Sequence, residues 1–248
     1  MNNTARGYQM QLEQILDRFS EGLVVVDRES NFINSSRNGI KYLPGLSTIY
    51  EPQCAEEVMT WWKNTYPKDF HNLKNISTNY PYPEAKANKC DIIFSSDDQE
   101  LDNAEWAIEL KKIAFLGDNG KNNDYGPSKL LSPFLKDRSL SHDIIKLKES
   151  KLARHKAVIG YGFDYTISSL EVALSKFPQE GDRIKNAKKT VKSAGMPGDK
   201  LEMKPLLDIA DFIIEKLDLT KPLVTREFKD AWHHPLGGNG TVFAWELK

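Results

Sequence analysis

Asp91 lies in the apolar run Cys90-Asp91-Ile92-Ile93-Phe94, and a second apolar run over residues 106–111 carries Glu109 and Lys111 as Glu-x-Lys. If the two runs are neighbouring strands, side-chain alternation puts Glu109 and Lys111 on one face. Asp91 can then reach the same spot across the hairpin, so that two carboxylates and one ammonium converge. Carboxylate oxygens are the ligands that hard divalent cations such as Mg²⁺ prefer, and such an ion clamps a phosphate ester while activating a bound water. An ammonium beside it can orient that water or offset the developing negative charge. The set suits hydrolysis of a phosphodiester.

Glu-x-Lys also occurs at Glu84, Glu149, Glu202, Glu227 and Glu246, so the tripeptide decides nothing without its context. Glu84 follows Pro81 and Pro83, Glu149 and Glu202 fall in helical patterns, and Glu227 lies in a mixed polar stretch. The competitor is the apolar run at 241–248, with Glu246, Lys248 and Asp230 upstream. Asp230 opens no apolar strand, and Lys248 is a terminal residue, where fraying is expected. The plain alternative for Glu109 and Lys111 is the solvent face of an ordinary strand.

The elements that must position these residues follow from periodicity. Leu12, Ile15, Leu16, Phe19 and Leu23 recur at helical spacing, which predicts an amphipathic first helix from about Gln9, ending near Gly22 or running into Val24-Val25-Val26. Residues 31–45 are turn-rich and read as a loop. Residues 54–66 predict a second helix with Glu56 and Glu57 near its start. Strands are expected at 90–95 and 106–115, joined through the polar stretch 97–103, then a glycine-rich loop at 117–127 that leaves the catalytic edge and could touch substrate. A helix at 139–152 and a buried strand at 157–163 complete a crossover. Helical periodicity returns at 167–177 and 202–217, separated by Pro197-Gly198. Gly237-Gly238-Asn239-Gly240 lacks the lysine and helix of a phosphate-binding loop and reads as a tight turn before a last strand at 241–247.

Asp91 with Glu109-x-Lys111, set in the order helix, two or three strands, helix, strand, resembles the PD-(D/E)xK nuclease superfamily, the restriction-endonuclease-like fold, over residues 85–165. Cys90 stands where the name of that family has proline. The resemblance implies an α/β fold, an α+β mixed sheet flanked by helices, as one domain over 1–248. Its core would cover about 70–165, with a helical extension over 166–248 ending in a strand. It implies that Asp91 and Glu109 hold Mg²⁺, or Mn²⁺ in its place, together with the backbone carbonyl of Leu110, while Lys111 positions the water. An accessory acid from the first helix is common in this family. Among Glu13, Glu21, Glu56 and Glu57, Glu21 is chosen because it lies close to the apolar face of its helix. The substrate implied is double-stranded DNA, cut by a homodimer of Type II-like restriction or defence character. A repair or junction nuclease, and a non-catalytic DNA-binding protein on the same scaffold, are the alternatives.

Totals are compatible with this reading without demanding it. The 248 residues carry 28% charged and 40% hydrophobic side chains and a net charge of -1, so whole-chain charge does not announce nucleic acid. Distribution says more. Residues 128–156 carry eight lysines and arginines against three acids, and Lys185, Lys188, Lys189 and Lys192 recur at i, i+3, i+4 and i+7, a helical stripe suited to a phosphate backbone or to solvent. Arg37, Asn38, Asn119 and Lys121 are of types that read base edges. The adjacent His233 and His234 point different ways on a loop and suggest no metal site. Two cysteines give neither a disulfide framework nor zinc spacing, which suits a reducing cytoplasm. No run approaches the ~18 to 20 apolar residues of a membrane span, and no apolar signal region opens the chain.

Overall fold

The computed structural model describes residues 10–36, 38–85, 87–96, 104–123, 128–130, 132, 139–194 and 197–248. The polar connection expected at 97–103, the end of the glycine-rich loop at 124–127, and Arg37 lie outside the described residues.

A mixed six-stranded sheet organises the chain. Its strands are β1 (Asn75–Pro81), β2 (Lys89–Ser95), β3 (Ala104–Lys112), β4 (Ala153–Phe163), β7 (Val224–Ala231) and β8 (Gly238–Glu246), in the order β1-β2-β3-β4-β8-β7. Only β3 and β4 run parallel. Parallel neighbours need a crossover, and here it contains helix α3 (Leu140–Glu149). A separate two-stranded ribbon pairs β5 (Tyr165–Thr166) with β6 (Lys200–Leu201).

Helices cover both faces, which explains the unbroken burial of β4 from Ala157 to Phe163. Helix α2 (Glu51–Thr65) lies over the face that carries Phe94 and Tyr161, with Trp62 meeting Phe94 edge-on at 5.8 Å. Helix α1 (Leu12–Glu29) packs on α2 and on the β7–β8 end of the sheet. It does not stop near Gly22. Gly22 sits inside it because a Cβ there would come within 2.9 Å of Val58 and Trp61 on α2, so glycine permits a close helix crossing. Helix α3 covers the opposite face, which carries Glu109 and Lys111.

Beyond β4 the chain forms α4 (Ile167–Lys176), α5 (Gly181–Ser193) and α6 (Met203–Lys216) before returning to the sheet. The extension is therefore not simply helical. Strand β8 pairs along β4 from Ala157↔Glu246 to Phe163↔Gly240, and the polar stretch around Glu227 is the edge strand β7. Strand β1, with its half-buried polar sequence, is the other edge. The alternation at both edges is diluted by polar residues: Ile76 and Tyr80 of β1, and Val224 and Phe228 of β7, pack on the core with Thr78 and Arg226 between them. Gly238, Asn239 and Gly240 belong to β8 rather than to a turn.

The loop after β3 is pinned to α5. Gly120 has φ +74°, and a Cβ there would run into the carbonyl oxygen of Arg183, so only glycine allows the approach. Thr190 Oγ1 donates to Gly120 O at 3.1 Å and Asn186 Nδ2 to Asn119 O at 3.1 Å. Asp118 accepts from Arg183, and its Oδ1 lies 3.1 Å from His234 Nε2. Leu236 N–H donates to His234 Nδ1, so the buried imidazole carries its proton on Nε2 and serves as a strut. Burial holds its pKa down, partly offset by Asp118.

Candidate active site

Glu109 and Lys111 are not a solvent face: their relative exposures are 4% and 8%. Antiparallel pairing of β2 with β3 runs Phe94↔Trp106, Ile93↔Ala107, Ile92↔Ile108. One further step brings Asp91 opposite Glu109, and there the backbone ladder gives way to a side chain. Asp91 Oδ2 accepts the N–H of Leu110 at 2.7 Å, and Asp91 and Glu109 line the same pocket. The three residues expected to meet are thus gathered on two adjacent strands.

Two charged side chains of α3 mirror the Glu-x-Lys of β3. Lys146 Nζ lies 2.7 Å from Glu109 Oε1, and Asp143 Oδ2 lies 2.8 Å from Lys111 Nζ; Lys146 also reaches Asp143 at 3.2 Å. Residues three apart on a helix share a face, which lets one turn of α3 meet both members of the strand motif. Tyr82 Oη donates to Glu109 Oε1 at 2.6 Å from the β1–β2 connection.

A third acid arrives at the N-terminus of α2. Glu51 Oε1 accepts from Lys112 N–H at 2.9 Å and pairs with Lys129 at 3.1 Å, while Oε2 stands 4.0 Å from Lys111. Lys112 Nζ, on the other face, donates to Ser47 O and Ile49 O and so holds the segment that delivers Glu51. Burial lowers the Lys112 ammonium to about 8. Glu51, Asp91, Glu109, Lys111, Asp143 and Lys146 line an open pocket of about 340 Å³.

Electrostatics distinguish the members. Asp91 is pushed well above the usual carboxylate range by burial first and by the neighbouring Glu109 second. Glu109 is also raised, by burial and by Asp143, against the opposing pull of Lys146. Burial penalises the charge of Glu51 too, but Lys111, Lys129 and the Lys112 N–H outweigh it and hold Glu51 below its ordinary value. Lys111 is raised, since Asp143 and Glu51 more than offset its burial. It remains an ammonium at neutral pH, a donor and not a base.

Among the described residues, no group of three or more His, Cys, Asp or Glu side chains is disposed to hold a metal ion. The donor chemistry at Asp91 and Glu109 nevertheless fits a hard dication. Glu109 raises the pKa of the buried Asp91, and a doubly charged ion between the two would relieve that repulsion.

Other candidates lie elsewhere. Glu21 is half-exposed on α1, paired with Arg18 and accepting from Tyr66 Oη at 2.7 Å. Tyr66 follows the C-terminus of α2, whereas Glu51 begins it, and fourteen helical residues put these ends about 21 Å apart. Glu21 therefore lies away from the pocket, and the helix acid that does line it is Glu51. Glu51-Pro52 is itself a helix-start signal, an acid followed by proline in the first turn; Cys54 as the apparent start hid it.

Asn38 is exposed on the 31–45 loop. Asn119 spends its side-chain oxygen on the N–H of Lys121 within the loop pinned to α5, and Lys121 is exposed. None of the three contacts the pocket. In the lysine stripe, Lys185, Lys189 and Lys192 are exposed, while Lys188 is half-buried 3.7 Å from Glu171 of α4. Asp182 reaches Lys185 at 3.3 Å. The competing motif is scattered: Glu246 pairs with Lys221 and His155, and Lys248 with Asp218.

No family model matches this chain, and neither a curated protein nor a solved structure matches it. Among the described residues, no helix is long and apolar enough to cross a membrane.

Proposed function

We propose that the chain is a metal-dependent endonuclease that hydrolyses phosphodiester bonds of double-stranded DNA, of restriction or defence type. The observation that carries this reading is the meeting of Asp91, Glu109 and Lys111 on adjacent strands, with Glu51 arriving from a helix. The meander β1-β2-β3, the crossover through α3 and the parallel β4 support it as well, since that is the element order the resemblance implies.

Asp91 and Glu109 would hold Mg²⁺ or Mn²⁺, with the Leu110 carbonyl as a further oxygen donor. A bound ion supplies Lewis-acid polarisation of the phosphate and an acidified water. The chain's own part is then orientation and charge. Lys111, fixed by Asp143 and Glu51, donates to the attacking water or to a phosphoryl oxygen as negative charge grows there. Attack of that water on phosphorus would form one P–O bond as the ester P–O bond breaks, giving a phosphate monoester and an alcohol, with the proton lost by the water passing to solvent and the leaving oxygen taking one up. Lys146, whose Nζ lies 2.7 Å from Glu109 Oε1, would be able to pair with phosphate where Glu109 holds an ion.

Incubation of supercoiled plasmid with purified protein and Mg²⁺, beside Asp91→Ala and Lys111→Ala, tests the proposal. Wild type should nick or linearise the plasmid and both variants should not, while retaining DNA binding in a gel-shift assay. Undiminished cutting by either variant would refute the site, and no cutting by wild type with Mg²⁺ or Mn²⁺ would refute the reading.

A further inference from the structure

A second cavity, of about 390 Å³, adjoins the catalytic pocket, and Asn88 and Lys146 belong to the walls of both. Helix α3 divides its side chains between the two. Asp143 and Lys146 face the strand motif, whereas His142 and Ile145, each one residue back, lie about 100° round the helix and line the second cavity. The opposite wall carries Tyr82, Glu84 and Asn88, and it is braced: Tyr82 N–H donates to Asn88 O at 3.0 Å and Asn88 N–H to Ala85 O at 2.8 Å. Glu84 accepts from Ser150 Oγ at 3.1 Å and from Lys151 N–H at 2.9 Å, which ties that wall to the end of α3. The space is thus pre-formed, and its size falls in the range of about 300–1,000 Å³ usual for a small-molecule site.

Its chemistry differs from that of the catalytic pocket. Among the described residues around it, Lys146 is the one lysine or arginine, at the wall shared with the site of Glu109, while Glu84 and Glu149 stand toward the C-terminus of α3. Phosphate is therefore favoured on the Lys146 side and repelled beyond it. The space beyond suits a neutral, flat, hydrogen-bonding group. Ile145, 49% exposed, presents apolar surface within a concave wall. The exposed Asn88 side chain offers an amide donor and a carbonyl acceptor together, and His142, whose Nδ1 lies 2.6 Å from Ser139 Oγ, keeps Nε2 for a ligand. Apolar contact flanked by such groups is how a base is held outside the duplex. An anionic group at one end and a hydrogen-bonding ring at the other describe a nucleotide.

We infer that this cavity receives one nucleobase, turned out of the helical stack, from the nucleotide whose phosphate lies in the catalytic pocket. The inference rests on the nuclease reading and adds the shape of its substrate: a duplex with an unpaired nucleotide at the cut, since eversion costs least there. Fluorescence anisotropy in Ca²⁺, which takes the same oxygen ligands as Mg²⁺, should compare three end-labelled duplexes of one sequence: fully paired, with one unpaired nucleotide, and with that nucleotide abasic. Wild type should bind the duplex with the unpaired base at least about tenfold tighter than either of the others; the abasic duplex is as pliable but has nothing to insert. Ile145→Lys and Asn88→Ala, both at exposed positions, should melt as wild type does and bring the three affinities together, even where the added ammonium of Ile145→Lys raises all of them. Equal affinity of wild type for the unpaired and abasic duplexes, no binding of any duplex, or a preference that survives both substitutions overturns the inference. Cleavage of the same duplexes in Mg²⁺ is read separately: cutting without the preference keeps the nuclease reading and removes the base site, and the preference without cutting does the reverse.

Discussion

Asp91 Oδ2 accepts the backbone N–H of Leu110 at 2.7 Å, which ties one carboxylate to the peptide unit between Glu109 and Lys111. The bond replaces a rung of the β2–β3 ladder and fixes Asp91 against Glu109. Its cost is a pair of buried carboxyl groups, both with raised pKa. Sites of this kind trade stability for function, and that trade can be measured.

Asp91→Asn should stabilise the ion-free protein at neutral pH. A carboxyl whose folded pKa lies above its unfolded value contributes fully below the unfolded value, near 4, and its contribution is lost as pH rises through the folded value. Asparagine keeps an oxygen for the Leu110 N–H but never ionises. Melting curves should therefore coincide near pH 4 and diverge in favour of the variant toward pH 7, and Mg²⁺ should raise the wild type alone. A variant that melts lower at pH 7 by as much as at pH 4 contradicts this.

Glu51→Gln should reduce cleavage by about 10- to 100-fold, the usual effect of removing a group that orients a reacting residue, because Lys111 loses one of its two acidic neighbours. Glu21→Gln, at the far end of α2, should leave the rate unchanged. Initial-rate assays of the two variants side by side decide between them, and equal losses would mean that neither placement matters.

Lys146→Met strips a buried carboxylate of its counter-ion. Removing one partner of such a pair is costly, and with Lys146 partly exposed to screening solvent the loss should be about 1–3 kcal/mol in denaturant unfolding. Mg²⁺ should recover more stability in this variant than in wild type, since an ion no longer competes with the ammonium for Glu109. Isothermal titration should show tighter Mg²⁺ binding; unchanged affinity would mean that Lys146 does not occupy the ion's place.

Replacing Lys185, Lys189 and Lys192 together by glutamine should flatten the salt dependence of DNA binding. Each neutralised phosphate contributes about 0.9 to the slope of log K against log salt, so the slope should fall by about 2 to 3. Lys188→Gln should change it little, because that ammonium lies beside Glu171. A slope unaffected by the triple replacement would assign α5 to solvent.

Periodicity and residue type were enough to place Asp91 and Glu109-x-Lys111 on consecutive strands and to put a helix and a further strand after them, while the mixed α/β sheet was what the family resemblance implied. These are local properties: alternation of two sets the face of a strand, and a short polar connection makes consecutive strands neighbours. Edge strands β1 and β7 carry a weaker alternation, with only Ile76 and Tyr80, and Val224 and Phe228, as large apolar side chains, since half-buried backbone at a sheet margin accepts polar side chains between them. The long-range decisions belong to packing alone. That β8 closes beside β4, that Lys112 anchors the segment leading to Glu51, and that Asp143 and Lys146 stand over Lys111 and Glu109 all depend on helices docking from distant parts of the chain. An acid on a helix looks the same in sequence whether it faces water or an ammonium, and only the fold sets Glu51 at the pocket and Glu21 outside it.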